Sequence, residues 1–100
     1  MLDSKSYEEY AAQVNTKFRL LEMSPVLEII LSEITEKKLT ARQEYFSLVF
    51  IGASEFPLPQ RTYEMIHEHL GDGALFLVPV GQDNDGIKYE AAFNRLIDDK

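Results

Sequence analysis

The run EYFSLVFIG, residues 44 to 52, constrains this chain more than any other stretch. It is apolar, rich in aromatic and β-branched side chains and stopped by Gly52, which makes it the clearest strand in the sequence. Other segments read in the same way. In GIKYEAAFNRL (86–96), Ile87, Tyr89, Ala91 and Phe93 alternate with Lys88, Glu90, Ala92 and Asn94, the two-residue period of a half-buried strand. ALFLVPVG (74–81) is a further apolar run, and TKFRLLEM (16–23) alternates through Phe18 and Leu20. ASEFPLPQ (53–60) is a loop, because Pro57 and Pro59 remove two backbone donors and force extended neighbours.

Two segments fit either period. SPVLEIILSEITEKKL (24–39) makes a helix if Ser24 is its N-cap and Leu27, Ile30, Leu31 and Ile34 share a face. It makes a strand if Leu27, Ile29 and Leu31 point inward, and its isoleucines tilt it that way. RTYEMIHEHLGDG (61–73) carries a helical stripe at Tyr63, Ile66, His67 and Leu70 that stops at Gly71. The competing strand reading sets Tyr63, Met65 and His67 on one face, but periodicity alone prefers the helix. At the start, Ser6 and Glu9 have capping-box spacing, and Tyr7, Tyr10, Ala11 and Val14 recur at helical intervals. A short helix is expected over 6–14, ended by Asn15. Residues 37–44 read as a connection with a helical turn after Thr40, and residues 97–100 as a frayed tail.

One hundred residues make a single domain, 1–100, with enough chain to bury a core without staples. At 45% hydrophobic residues the chain is globular rather than disordered. It has no cysteine, so disulfides, thiolate metal sites and thiol nucleophiles are excluded together. The net charge of −7 and the scattered Lys and Arg argue against nucleic acid. No run approaches a membrane span and no secretory signal opens the chain, so a soluble, cytoplasmic protein with no membrane contact is the expectation.

Few residues suggest chemistry. VPVGQDNDGIKYEAAF (78–93) clusters Asp83, Asn84 and Asp85 before Gly86. Aligned to a calcium loop with Gly86 at its sixth position, it has Gly81 where the first ligand belongs and Ala92 where the bidentate Glu belongs. Two carboxylates are missing. The same residues suit a tight turn, in which Asp85-Gly86 and their neighbours tolerate positive φ. His67 and His69 are the only histidines, and no third ligand accompanies them. One is expected to be held by a carbonyl and the other solvated. Ser47, Ser54 and Thr62 lack a nucleophile elbow, Glu8–Glu9 and Asp98–Asp99 read as solvated charge, and GDG (71–73) reads as a turn. No catalytic, cofactor or metal residue is assigned.

FSLVFIG (46–52), PLPQRTYEMIHEHLG (57–71), ALFLVPVG (74–81) and YEAAFNR (89–95) together resemble a family of small bacterial proteins classed as a domain of unknown function. The resemblance covers the C-terminal half and implies that 62–68 and 26–34 are strands. It carries over no catalytic residue, it places Arg61 where relatives more often have glycine, and it colours one alternative role, an accessory component of a phage-tail-like assembly.

The fold expected is mostly β: a six-stranded antiparallel barrel or curled sheet with a short N-terminal helix. Its strands fall at about 16–23, 26–35, 45–52, 61–68, 74–80 and 87–95, with ends uncertain by about 2–4 residues. An α+β fold with helices at 25–36 and 60–70 is the alternative. The function expected is a non-catalytic binding or assembly module acting through its surface, with a protein partner or self-association. A carrier of a small apolar ligand is the competing reading. Pro79 interrupts an otherwise core-like run, which marks an edge, a bulge or a strand end. The segment Phe76, Leu77, Val78, Pro79 and Val80 is therefore the candidate contact edge, set against the simpler reading that Pro79 ends a core strand before the turn.

Overall fold

A computed structural model describes residues 1–97. Seven strands run through it: β1 (Lys17–Leu20), β2 (Leu27–Ile34), β3 (Lys38–Leu39), β4 (Gln43–Gly52), β5 (Arg61–His67), β6 (Gly71–Asp83) and β7 (Gly86–Leu96). All pairings are antiparallel, in the order β2-β1-β5-β6-β7-β4-β3, and an added pairing of β2 with β4 closes six of the strands into a barrel. β3 lies outside the ring, paired with β4 alone. The α+β alternative is set aside.

Both ambiguous segments are strands because the barrel sorts their side chains with period two. In β2, Ile29 and Leu31 are buried while Ile30 is 41% exposed. In β5, Tyr63, Met65 and His67 point inward, whereas Ile66, part of the helical stripe, is exposed. Phe18, Leu20, Leu48, Phe50, Leu77, Tyr89 and Ala91 join them in one continuous core. Full burial of each large apolar side chain contributes about 1.5–3 kcal/mol. The Phe18 and Phe50 rings meet edge to face at 5.0 Å.

The ladder between β6 and β7 runs only from Val78↔Glu90 to Asp83↔Gly86. The first half of β6 pairs with β5 alone, and the last part of β7 pairs with β4 alone. The N-terminal segment spans this divergence. A 3-10 turn at Leu2–Ser4 packs on Gly73 of β6, and the Asp3 carbonyl accepts from Arg95 of β7 at 3.2 Å. The helix α1 (Tyr7–Ala11) follows, shorter than the expected 6–14. Its Ser6–Glu9 capping box forms with both bonds at 2.9–3.0 Å. Tyr10 is fully buried, donates to the Leu2 carbonyl and lies 5.3 Å from the Phe93 ring.

Four further expectations are corrected. Residues 37–44 hold strand β3 and a tight turn at Thr40–Gln43 rather than a helical turn, with Thr40 Oγ1 accepting from the Gln43 amide at 3.0 Å. Gly71–Gly73 begin β6 rather than forming a turn. Ile97, expected to fray, donates its amide to the Arg42 carbonyl at 2.8 Å, and the rest of that tail, residues 98–100, lies outside the described residues. Pro79 does not end its strand, since β6 continues to Asp83.

Candidate functional site

Pro79 sits at a bulge: the β6–β7 register shifts between Pro79 and Gly81. A residue with no N–H is tolerated where the ladder is already interrupted. On its other side the β5–β6 ladder stops at Arg61↔Leu77, so Val78–Asp83 pairs with β7 only. The reason lies before β5. Pro57 and Pro59 cannot donate, Leu58 turns into the core with its amide bound to the Tyr89 hydroxyl at 2.9 Å, and the Pro59 carbonyl accepts from Tyr63. The chain is thus drawn across the barrel end and cannot extend β5 alongside β6.

The five candidate edge residues divide by the pleat. Leu77 is fully buried and belongs to the core. Phe76 is 49% and Val80 53% exposed, Pro79 is exposed and Val78 is half-buried. Pro79 and the bulge are devices that blunt an edge against indiscriminate strand addition. Phe76 and Val80 are the large apolar side chains this segment exposes.

The acidic cluster is a turn. Asn84 and Asp85 form the two-residue connection from β6 to β7, and the Asp83 carboxylate accepts from the Asp85 amide at 2.8 Å and pairs with Lys88 at 3.2 Å. The Asp85 amide, then Lys88, holds the Asp83 carboxyl below its usual range. Of these turn residues only Gly86 has positive φ, at 138°, so the tolerance expected of Asn84 and Asp85 is not used.

His67 closes β5 and is 3% exposed. Its Nδ1 accepts from the amides of His69 and Leu70 at 3.0 and 3.2 Å, and its Nε2 lies 2.7 Å from Thr16 Oγ1. Thr16 Oγ1 donates to the Gln13 carbonyl, which leaves it to accept from His67 and fixes the proton on Nε2. Burial, then the charge of His69, pushes the His67 pKa down. The partners are two amides and a hydroxyl rather than the carbonyl expected. His69 lies beyond the strand and is solvent-exposed, its ring centroid 5.9 Å from that of His67. Among the described residues no three His, Asp or Glu side chains gather as a metal site.

A surface groove of about 550 Å³ lies where three segments meet, lined by Thr35, Glu36 and Lys38, by Tyr45 and Ser47 of β4, and by Ala92 and Asn94 of β7. Sequence reading dismissed Ser47 as a nucleophile and did not single out the groove. Its residues are far apart in the chain, and the only local signal is that Tyr45 and Ser47 occupy the outward positions of the clearest strand. A smaller pocket beside Leu27, Ile29 and Leu58 holds about 20 Å³.

A family model described as Domain of unknown function (DUF6916) matches residues 5–93, so the chain belongs to that family, a domain of unknown function as the resemblance implied. No curated protein and no solved structure matches it. Among the described residues no helix is long and apolar enough to cross a membrane.

Proposed function

We propose that this member of the DUF6916 family is a non-catalytic binding or assembly module that meets a protein partner through the distal half of β6. The observation that supports the reading is the mismatch between neighbouring strands. The β5–β6 ladder ends at Arg61↔Leu77 while β6 runs on to Asp83, which leaves Val80 53% exposed beside an unpaired lane, with Phe76, 49% exposed and opposite Thr62, just before it. Large apolar side chains on one strand supply contact area, and the blunted backbone makes recognition depend on side chains rather than on a generic ladder. A cytoplasmic location and a role as an accessory in a larger assembly, including a phage-tail-like one, are compatible forms of this reading. The carrier reading draws less support, because Phe18, Phe50 and Tyr89 fill the space a guest would need.

The test is Val80→Lys, at the more exposed of the two valines. Sedimentation equilibrium of the wild type at high concentration measures self-association, and affinity capture followed by a direct binding assay measures a partner. The substitution is expected to weaken whichever association is found while leaving the circular dichroism spectrum unchanged. A monomeric wild type whose captured partner binds the Lys variant equally well overturns the proposal.

A further inference from the structure

We propose that the groove over Ser47 is a binding site for a small neutral carbohydrate ring. Ser47 is only 9% exposed, yet among the described residues its hydroxyl has no protein partner. Its backbone is fully engaged: its amide donates to Thr35 Oγ1 at 2.8 Å and its carbonyl accepts from the Thr35 amide at 2.9 Å. The hydroxyl sits on the outward side of β4, since Phe46 and Leu48 on either side face the core, and it opens onto the groove. Its access to the groove leaves the hydroxyl free to bond a ligand there.

The rest of the lining suits one chemistry. Ser47 pairs across the ladder with Ala92, and two small side chains make a floor on which a flat ring can rest. The next outward pair, Tyr45 and Asn94, forms a wall with an aromatic face and a carboxamide that can both donate and accept. The Tyr45 hydroxyl donates to Gln43 Oε1, which holds that ring in place. Thr35 Oγ1 accepts from Ser47 and keeps its own hydrogen to donate. Glu36 and Lys38 in the lining carry opposite charges, which suits a neutral ligand better than an ion of either sign. Mixed donors and acceptors beside apolar patches match a pyranose, which presents hydroxyls at its edge and C–H groups on its faces.

The experiment is a two-dimensional amide NMR titration of the whole chain with glucose, galactose and N-acetylglucosamine, with glycerol as a polyol that lacks a ring. Concentrations reach roughly 50 mM, well beyond the millimolar dissociation constant expected of a shallow site. The expected result is a saturable shift confined to Thr35, Tyr45, Ser47, Ala92 and Asn94 with at least one sugar and not with glycerol. Ser47→Val, which keeps a strand-favouring side chain but removes the hydroxyl, is expected to weaken binding at least about tenfold with the rest of the spectrum in place. Asn94→Leu serves as a second variant if Ser47→Val fails to fold. Overturning results are no saturable shift with any of the three sugars, equal shifts with glycerol, or undiminished binding by the folded variants. The outcome is independent of Val80→Lys, because the groove and the β6 edge share no residue.

Discussion

Gly86 abuts the end of β4 so closely that a Cβ added to it would lie 2.2 Å from the Gly52 carbonyl oxygen. The contact joins the β6–β7 turn to the strand on the far side of β7, and Gly86 also holds φ at 138°, where side chains are strained. Both conditions forbid any larger residue.

Gly86→Ala is therefore expected to destabilise the protein by about 3 kcal/mol or more, combining backbone strain with displacement of β4. For a domain of this size that lowers the melting temperature by roughly 10 °C or more. Gly81, at the bulge, is the control. Its Cβ would meet nothing within 4 Å and its φ is not positive, so Gly81→Ala is expected to be neutral or to stabilise by up to about 1 kcal/mol. Urea denaturation of the two variants measures the difference, and equal midpoints would contradict this packing.

His67 gives stability a pH dependence. Its pKa is lowered in the folded state from 6.5, so the unfolded chain takes up the proton first as pH falls. The stabilisation tied to the neutral ring is complete above pH 6.5 and is lost progressively below it, toward the depressed folded value. Protonation of Nδ1 would turn an acceptor of two amides into a donor facing donors. Denaturation midpoints between pH 7.5 and 5.5 should fall in the wild type. They should stay nearly flat in His67→Leu, which starts about 1–3 kcal/mol lower because the two amides and Thr16 lose their partner. An equally steep fall in the variant would place the titration elsewhere.

Calcium up to roughly 5 mM, beyond the weakest protein calcium sites, is expected to leave the melting temperature unchanged. The Asp83 carboxylate already serves the Asp85 amide and Lys88, and the loop lacks the remaining carboxylates. Zinc should be silent too, because both His67 nitrogens are engaged. An upward shift lost on Asp83→Ala or His69→Ala would reveal a site.

How far the sequence was readable follows from where each feature's cause lies. The β4 strand, the capping box at Ser6–Glu9 and the Asn84-Asp85 turn were legible because each is specified by neighbouring residues. The β2 and β5 segments were ambiguous because local periodicity competed with pairings to β1, β4 and β6, and only the closed barrel decides in favour of strand. The extent of β6 was underestimated because Gly71–Gly73 read as punctuation, whereas Gly73 is small to admit Leu2 and Asp3. The groove was invisible for the same reason: Thr35, Ser47 and Ala92 meet only through tertiary pairing.

The N-terminal segment supplies the last prediction. Where β6 and β7 diverge, Leu2 is fully buried and the Asp3 amide and side chain would lie 2.9–3.1 Å from a Cβ on Gly73. Two of these neighbours, the Asp3 amide and Leu2 Cβ, are backbone or next to it and cannot swing aside. Gly73→Val should therefore push the 3-10 turn away from β6 without breaking the strand, since valine favours extended backbone and φ there is not positive. Displacement would strip Leu2 and Tyr10 from the core, where each contributes about 1.5–3 kcal/mol, and would break the Asp3–Arg95 bond. The variant is expected to lose about 2–4 kcal/mol of stability. Limited proteolysis should cut it before residue 12 while the barrel stays intact, because the exposed segment becomes the weakest cooperative unit. Arg95→Ala, which removes the bond across the divergence and the guanidinium over the Phe93 ring at 4.8 Å but leaves Gly73 and Leu2 in place, should increase cleavage at the same place by a smaller factor. If Gly73→Val resists protease at its N-terminus as well as the wild type does, the turn does not depend on the space that Gly73 leaves.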